Sequence, residues 1–322
     1  MDEQTASLIE SHIAMQNVTV IGAGVIGISW IALFLARGLR VVVYDNAPNI
    51  EQRVISSIQA ILPNIETVEL PVSSLLKRLS FETDLARAVM SADVIQENGP
   101  DKINFKRKLW IEIERYAPQH ALFLSSSSGI PTRIQASGMQ RPGRLLIGHP
   151  FNPPHLIPLV EVVPHKRALP ETTQRALSFY RMIGKQPILL RKEVPGFVAN
   201  RLQAALMREA LLLVKWDVVT VDELDEIVTR SLGLRWATGG PFVSFHMGGG
   251  PKGFTGFIDH FSWGMQLLWL QSKFSPVFFS TELKEKLLNQ ISASFGKKSL
   301  TELEADRDRC IIALQRTLDK VK

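Results

Sequence analysis

Short apolar runs alternate with stretches of helical periodicity over the first two thirds of the chain. Asn17 to Ile21 is a strand-like run that leads into a glycine cluster, and residues 26–36 then carry apolar side chains at helical spacing up to Gly38. A second strand-like run follows at 40–45. Strands that alternate with helices predict an α/β fold with an open, largely parallel, doubly wound sheet of Rossmann-like type.

The pattern changes in the last third of the chain. Further strands are predicted at 92–95, 121–124, 145–147, 159–163 and 187–190, and the break Pro195-Gly196 follows the last of them. Helices are then predicted over 197–216, 221–232 with Thr220 as N-cap, and 299–320, with a loose glycine-rich loop over 239–253. The sequence therefore predicts two domains, an α/β domain over 1–194 and a smaller all-helical C-terminal domain over 195–322.

Charge and composition restrict the kind of partner. The formal net charge is +6, but basic and acidic residues are mixed along the chain without a basic stripe, so we expect no nucleic-acid partner. No apolar stretch reaches the length of about 18 residues that a membrane helix needs, and an N-terminus with Asp2, Glu3 and Glu10 is not typical of a secretory signal. Cys310 is the single cysteine, which excludes an internal disulfide and a multi-cysteine metal site. We expect a cytoplasmic protein with no membrane contact and no bound metal.

The glycine cluster has the spacing Gly22-x-Gly24-x-x-Gly27 at the turn from the first strand to the first helix. Glycines in this position permit a tight turn and a close backbone approach to a pyrophosphate. The first amides of the helix, those of Val25 and Ile26, would then face the phosphate oxygens. The motif predicts a dinucleotide site.

Two acidic residues refine this prediction. Asp45 closes the second strand about twenty residues after the glycines, where an acid binds a ribose 2′-hydroxyl and repels a 2′-phosphate. Glu97 lies just beyond another strand, at the same edge of the sheet, and is a further candidate for cofactor binding. We therefore predict NAD as the cofactor.

A histidine and a glutamate are candidates for the proton transfer that would accompany hydride transfer to the cofactor. His149 and Glu161 lie on consecutive predicted strands that a turn at Pro153-Pro154 joins, so they are plausible neighbours in space. A neutral imidazole can accept the proton of a secondary alcohol, and a carboxylate on its other nitrogen would stabilise the imidazolium that forms. A capping histidine and a surface glutamate are the competing interpretation.

Hydroxyl and amide side chains are available nearby. The run Ser125 to Ser128 ends a strand and could reach a substrate oxygen, or could form a polar turn. Asn200 follows the Pro-Gly break and could present its amide to the cleft, although a local hydrogen bond is the more usual role near a helix start.

Four separated motifs together resemble the 3-hydroxyacyl-CoA dehydrogenase superfamily over most of the chain. They are GAGVIG, SSSSG, GHPFNPPHLIPLVEVV and PGFVANR, in this order and spacing. In that family a serine, a histidine, a glutamate and an asparagine form the catalytic group. The resemblance carries these roles to Ser127, His149, Glu161 and Asn200, with Ser128 as the alternative serine, and it implies a homodimer.

Within the superfamily, the segments HPFNPPHLIPLVE and GLRWATGGPF resemble the short branch of L-carnitine dehydrogenase and lambda-crystallin, the latter similar to L-gulonate 3-dehydrogenase. These proteins act on free hydroxy acids. The acyl-CoA members hold CoA phosphates with basic residues, including a lysine after the second strand, and residues 54–76 contain no Lys or Arg here. A contact with a CoA phosphate is still possible through four basic residues, Lys102, Lys106, Arg107 and Lys108.

A free hydroxy acid is an anionic small molecule and would need a cation for its carboxylate. Arg201 and Arg235 are the candidates, with Trp236 as a further candidate contact, and structural ion pairs are the competing role. A quaternary ammonium group would favour an aromatic cage, for which the available residues are Trp236, Phe242, Phe245, Phe254 and Trp263.

We expect NAD-dependent oxidation of a 3-hydroxy acid, or reduction of the 3-keto acid. One alternative is a 3-hydroxyacyl-CoA dehydrogenase. An alternative of another class is an NAD-binding protein with a structural or non-redox role.

Overall fold

Eight strands form one sheet in the part of the chain that the computed structural model describes, residues 15–65 and 70–321. Asp2, Glu3 and Glu10, on which the expectation about the N-terminus depends, lie outside these residues. The strands are β1 Asn17–Ile21, β2 Arg40–Tyr44, β3 Leu79–Phe81, β4 Val94–Glu97, β5 Leu122–Ser125, β6 Leu145–Pro150, β7 Leu159–Pro164 and β8 Gln186–Leu189. Their order is β3-β2-β1-β4-β5-β6-β7-β8, and every neighbouring pair is parallel except the antiparallel pair β6 and β7.

Helices connect the strands and then form the last third of the chain. Those between the strands are α1 Val25–Ala36, α2 Ile50–Ile61, α3 Val72–Leu76, α4 Leu85–Val89, α5 Ile103–Tyr116, α6 Thr132–Gln135 and α7 Pro170–Met182. They are followed by α8 Ala199–Lys215, α9 Val221–Ile227, α10 Leu234–Thr238, α11 Pro241–Gly248, α12 Gly253–Lys273, α13 Thr281–Ala293 and α14 Leu300–Val321. The chain divides into two compact units after Asn200. The predicted fold class, a Rossmann-like sheet followed by a helical C-terminal part, is confirmed.

Apolar clusters cover both faces of the sheet in the first unit. On one face Val18 and Val20 of β1 join a cluster that includes Trp30 and Phe34 of α1, whose rings stack 5.4 Å apart. On the other face Trp110 of α5 packs on Phe123 of β5, with ring centroids 5.5 Å apart. Parallel strands covered on both faces carry nearly continuous apolar runs, which explains why the runs were visible in the sequence.

The structure corrects two predicted features. Strand β3 was missed because it has only three residues and lies at the edge of the sheet, where its pattern is too short to detect. The predicted loose loop over 239–253 is mostly helical, since α11 and the start of α12 occupy it. A Cβ at Gly249 would overlap the carbonyl oxygen of Gly253, so this glycine allows close backbone packing rather than an open loop.

A buried hydrogen-bond network lies beneath the carboxyl ends of the central strands. The Tyr180 hydroxyl of α7 donates to Oε1 of Gln96 at 3.0 Å, and Nε2 of Gln96 donates to Oγ of Ser126 at 2.9 Å. Ser126 in turn donates to Oδ1 of Asn98 at 2.7 Å. The network therefore ties α7 to the segments that follow β4 and β5.

Tyr180→Phe is expected to lower the free energy of unfolding by about 1–3 kcal/mol, because the buried amide oxygen of Gln96 loses its donor. Urea unfolding measures this loss. Tyr116→Phe is the matched control, since Tyr116 is 47% exposed. Equal stabilities of the two variants would contradict the prediction.

No helix among the described residues is long and apolar enough to cross a membrane. The same residues contain no group of three or more His, Cys, Asp or Glu side chains placed to hold a metal ion.

Candidate active site

His149 and Glu161 are direct partners across the antiparallel pair β6 and β7. Side chains of directly opposed residues lie on the same face of a sheet, and here Nδ1 of His149 is 2.9 Å from Oε2 of Glu161. Both are buried, with 5% and 2% of their surface exposed. The structure thus brings together the two residues that the sequence could only suggest as neighbours.

The second carboxylate oxygen of Glu161 is held by the segment that starts α8. Its Oε1 accepts hydrogen bonds from the backbone N–H groups of Val198 and Ala199, both at 3.0 Å. Gly196 and Phe197 just before them have positive φ angles of 73° and 51°, which turn the backbone amides toward the carboxylate. A bulky residue in this region is strained by about 1–3 kcal/mol, and Phe197 is fully buried beside the ring of His149.

These contacts determine the charge of Glu161. Burial raises the pKa of this carboxyl, but the hydrogen bonds from His149 and from the Ala199 and Val198 amides outweigh burial, and the net pKa is lowered. Glu161 is therefore ionised at neutral pH, and its carboxylate accepts a hydrogen bond from the protonated Nδ1 of His149. That orientation leaves Nε2 of His149 as the nitrogen that can accept a proton.

Glu161→Gln is expected to destabilise the protein at pH 7, with a difference that shrinks as pH falls. A carboxyl whose pKa is lower in the folded than in the unfolded state stabilises the fold above its unfolded pKa of about 4.3. This contribution is lost as pH falls through the folded pKa. Urea unfolding of wild type and variant between pH 7 and pH 3 tests it, and a difference that is constant with pH would contradict it.

The serine run places its hydroxyls in different surroundings. Ser125 is buried and donates to Glu97, and Ser126 belongs to the network beneath the sheet edge. Oγ of Ser127 accepts the backbone N–H of Ile130 at 3.1 Å, and this serine is only 3% exposed. Ser128 is half-buried. The more accessible of the two candidate serines is therefore Ser128.

Asn200 lies beside this serine run. Its Nδ2 donates to the backbone carbonyl oxygen of Ser128 at 3.2 Å. Asn200 also directly follows Ala199, whose amide binds Glu161. All four predicted catalytic positions are thus joined through the strand pair, the start of α8 and the serine run.

The glycine loop fits a dinucleotide. Gly22 has φ of 83°, and a Cβ there would lie 3.1 Å from the backbone of Asn98. A Cβ at Gly27 would overlap the carbonyl oxygen of Gly22, so this glycine allows α1 to pack against the loop. A Cβ at Gly24 would meet no atom of the described residues within 4 Å, which leaves space in front of the helix start. Helix α1 begins next, at the exposed Val25 and at Ile26, with no side-chain cap on its first amides.

Asp45 anchors the loop. Its Oδ2 accepts the N–H of Ala23 at 2.7 Å and its Oδ1 accepts the N–H of Ala47 at 2.8 Å. Each carboxylate oxygen has two acceptor sites, so one on each remains for a ribose hydroxyl. The residues present therefore fit NAD.

The structure revises the prediction that Glu97 contacts the cofactor. Glu97 has no exposed surface, and its carboxylate binds Lys106 Nζ at 2.7 and 2.8 Å, Ser125 Oγ at 2.7 Å and the Gly99 N–H at 2.6 Å. Lys106, which the sequence left open as a phosphate ligand, is likewise 1% exposed. Because Glu97 of this buried ion pair also binds the Gly99 N–H, the pair supports the segment that follows β4.

Sequence reasoning missed two residues that fix the turn between His149 and Glu161. Lys185 is buried and its ammonium donates to the carbonyl oxygens of Pro154 and Ile157. Ser29 of α1 accepts the backbone N–H of His155 at 2.9 Å. Neither residue belongs to a motif, and both sit where a sequence pattern gives no signal. Together they tie the turn to the helix that begins at the glycine loop.

Three of the candidate substrate contacts lie in the second unit. Arg201, Arg235 and Trp236 are exposed there. Of the residues suggested for an aromatic cage, Trp263 is 71% exposed, whereas Phe242 packs on Phe254 with centroids 5.9 Å apart. Phe245 stacks on Phe257 at 4.5 Å. Three of the five cage candidates therefore pack with other phenylalanines, and substrate contacts in this unit stay a prediction.

Comparison with known proteins covers nearly the whole chain. The model of the 3-hydroxyacyl-CoA dehydrogenase NAD binding domain matches residues 17–194, and that of the C-terminal domain matches residues 196–275. An L-carnitine dehydrogenase of Bacillus cereus is 39% identical over 307 residues, which cover 95% of this chain and 94% of the relative. A 3-hydroxyacyl-CoA dehydrogenase of Gibberella moniliformis is 39% identical over 309 residues, 93% of this chain and 94% of that one.

A solved structure is also similar over nearly the whole chain. The NAD+ dependent dismutase 5-formyl-3-hydroxy-2-methylpyridine 4-carboxylic acid 5-dehydrogenase has a TM-score of 0.73 and 27% identity, over 95% of this chain and 99% of that one. The family suggested by four sequence motifs is confirmed. The chain belongs to the 3-hydroxyacyl-CoA dehydrogenase family, in the branch of the L-carnitine dehydrogenases.

Proposed function

We propose that this protein, an NAD-dependent oxidoreductase acting on the CH–OH group of a 3-hydroxy substrate, uses a free 3-hydroxy acid and takes its hydroxyl proton with His149. The single observation that carries the proposal is the buried contact between His149 and Glu161. A histidine held in one tautomer by an ionised carboxylate is the arrangement that general base catalysis requires.

Each residue of the proposed site has a separate role in the reaction. Nε2 of His149 accepts the hydroxyl proton, and the Glu161 carboxylate stabilises the positive charge that the imidazole then carries. Bound NAD supplies the acceptor for the hydride that leaves the same carbon. Of the two serines, we assign the contact with the substrate oxygen to Ser128 rather than Ser127, because Ser128 is more accessible and Asn200 holds its carbonyl.

The cofactor would be held by residues of the first unit. The pyrophosphate would lie at Gly22, Gly24 and Gly27 against the first amides of α1, and Asp45 would bind the adenosine ribose. Glu97 would act indirectly, by supporting the backbone at Gly99.

Three observations bear on the substrate class. Several relatives with 36–39% identity are named L-carnitine dehydrogenase, which points to a free acid with an ammonium group. One relative named 3-hydroxyacyl-CoA dehydrogenase is 39% identical, so a CoA thioester is the second candidate. The burial of Lys106 removes one of the four cations that kept a CoA phosphate contact open, and this favours the free acid.

NADH formation with a panel of substrates tests the proposal. The panel holds L-carnitine, L-gulonate, 3-hydroxybutyrate and 3-hydroxybutyryl-CoA. We expect turnover of one free acid that is lost in His149→Ala and retained in His120→Ala, a histidine with a 60% exposed side chain. Turnover of the thioester alone would replace the free acid with the second candidate. NAD binding without turnover of any member would favour a structural or non-redox role.

We also propose a homodimer in the cytoplasm, with NAD bound within residues 1–194 and with further substrate contacts and the subunit contact within 195–322. The second unit exposes large apolar side chains that a subunit contact would cover, among them Trp263, Trp269 and Phe274 at 71%, 62% and 73%. A single cysteine, Cys310, agrees with a reducing compartment.

A further inference from the structure

A cleft opens on the sheet where β1, β2 and β3 begin. Helix α4, which covers this part of the sheet, has only five residues. It leaves Val42 of β2 half-buried and Ser80 of β3 exposed. The resulting cavity has a volume of about 310 Å³, at the lower end of the range for small-molecule sites.

Four cationic side chains from three segments line this cleft, although they are scattered in the sequence. Arg40 starts β2, Lys77 and Arg78 precede β3, and Arg87 lies on α4. Among the described residues that line the cleft there is no carboxylate. Arg87 is paired with Glu82 at 3.3 Å, outside the lining, so the other three cations give the cleft its positive charge.

Two described acidic residues near the cleft, Asp84 and Asp93, form hydrogen bonds with other groups. One oxygen of Asp93 accepts hydrogen bonds from the backbone of Gln16 and from the backbone and side chain of Asn17, and the other lies 3.2 Å from His120. Asp84 caps α4 through the N–H of Arg87. These carboxylates hold the backbone around the cleft and do not pair with Arg40 or Lys77 within 4 Å in the described part of the chain.

The cleft is separate from the cofactor loop. It lies where the parallel strands start, whereas Gly22 and Asp45 follow the ends of β1 and β2. The five residues of β1 span about 13 Å between these two edges. A ligand in the cleft therefore does not occupy the place of NAD.

We propose that this cleft binds a small organic polyanion, either a phosphate ester or a polycarboxylate. Arg40, Lys77 and Arg78 would meet the negative charges of this ligand. The serine hydroxyls of Ser80 and Ser91 add neutral donors along the wall. The same lining would accept either anion, because both present oxygen acceptors with multiple negative charge.

Calorimetric titration of the full chain with citrate and with glycerol 3-phosphate, at low ionic strength, tests the site and separates the two anion classes. We expect at least one to bind, with Kd raised at least tenfold in Arg40→Ala/Lys77→Ala. Arg115→Ala/Lys166→Ala removes the same charge from exposed positions and should leave Kd unchanged. Arg78 is left intact because it donates to the carbonyl oxygen of Gly38 and supports the fold.

A second variant tests the cavity without changing charge. Ser80→Phe on the open sheet face should fill the cleft and abolish binding, while urea unfolding verifies that the variant is folded. No binding of either probe, or equal losses in the two double variants, would overturn the proposal. Competition by NAD would also overturn it, because the anion would then occupy the cofactor site.

Discussion

Replacing Glu161 with glutamine is expected to lower kcat by about 10²–10⁴-fold, with a smaller change in KM for NAD. The amide cannot stabilise the positive charge that His149 would acquire as the proposed base, and its NH₂ group cannot accept the hydrogen bonds that the carboxylate accepts on both oxygens. Steady-state kinetics with the substrate found in the panel measures the loss. His149→Ala should lose at least as much.

The matched control is Glu171→Gln, which removes one carboxylate from an exposed position in the first turn of α7. Its kcat should equal that of the wild type. If Glu161→Gln also retained full kcat while remaining folded, Glu161 would be a structural residue that fixes the start of α8, and the dyad would be wrong as a catalytic assignment.

Gly24→Ala is expected to raise KM for NAD at least tenfold, equivalent to about 1.4 kcal/mol, while it costs about 1 kcal/mol or less of stability. The new methyl group meets no atom within 4 Å in the part of the chain that the structure describes, and φ at Gly24 is −73°, which alanine accepts. It projects into the open space where the pyrophosphate would lie.

Gly240→Ala is the control for this variant. Gly240 also precedes a helix as its N-cap residue, and an added Cβ would have none of the described atoms within 4 Å, so the cost to the helix is matched. It should leave KM for NAD unchanged. An unchanged KM in Gly24→Ala would place the pyrophosphate away from the glycine loop.

The first unit was largely predictable because its signals are local. Apolar runs such as Val18 to Ile21 report burial on both faces of a sheet, and Gly22 and Gly27 are required by backbone geometry within a few residues. The contact between His149 and Glu161 follows from the hairpin between two adjacent strands, so it too depends on a short stretch of sequence.

Features that depend on distant packing were not predictable in the same way. The burial of Glu97 requires Lys106 from the next helix, and nothing in the pattern distinguishes that lysine from its exposed neighbours on α5. The glycines over 239–253 look like loop residues, although Gly249 serves the close packing of two helices. Lys185 and Ser29 gain their importance only from the turn that they contact.

The antiparallel pairing of His149 with Glu161 has a consequence for how the hairpin folds. A slip of one residue between β6 and β7 would turn the Glu161 carboxylate to the opposite face and set Val160 or Val162, both fully buried in the native register, opposite the histidine. Such a hairpin would bury an ionised group among apolar side chains, at a cost of several kcal/mol. The residue pair to which we assign the proton transfer would therefore also select the correct strand register against its misfolded alternatives.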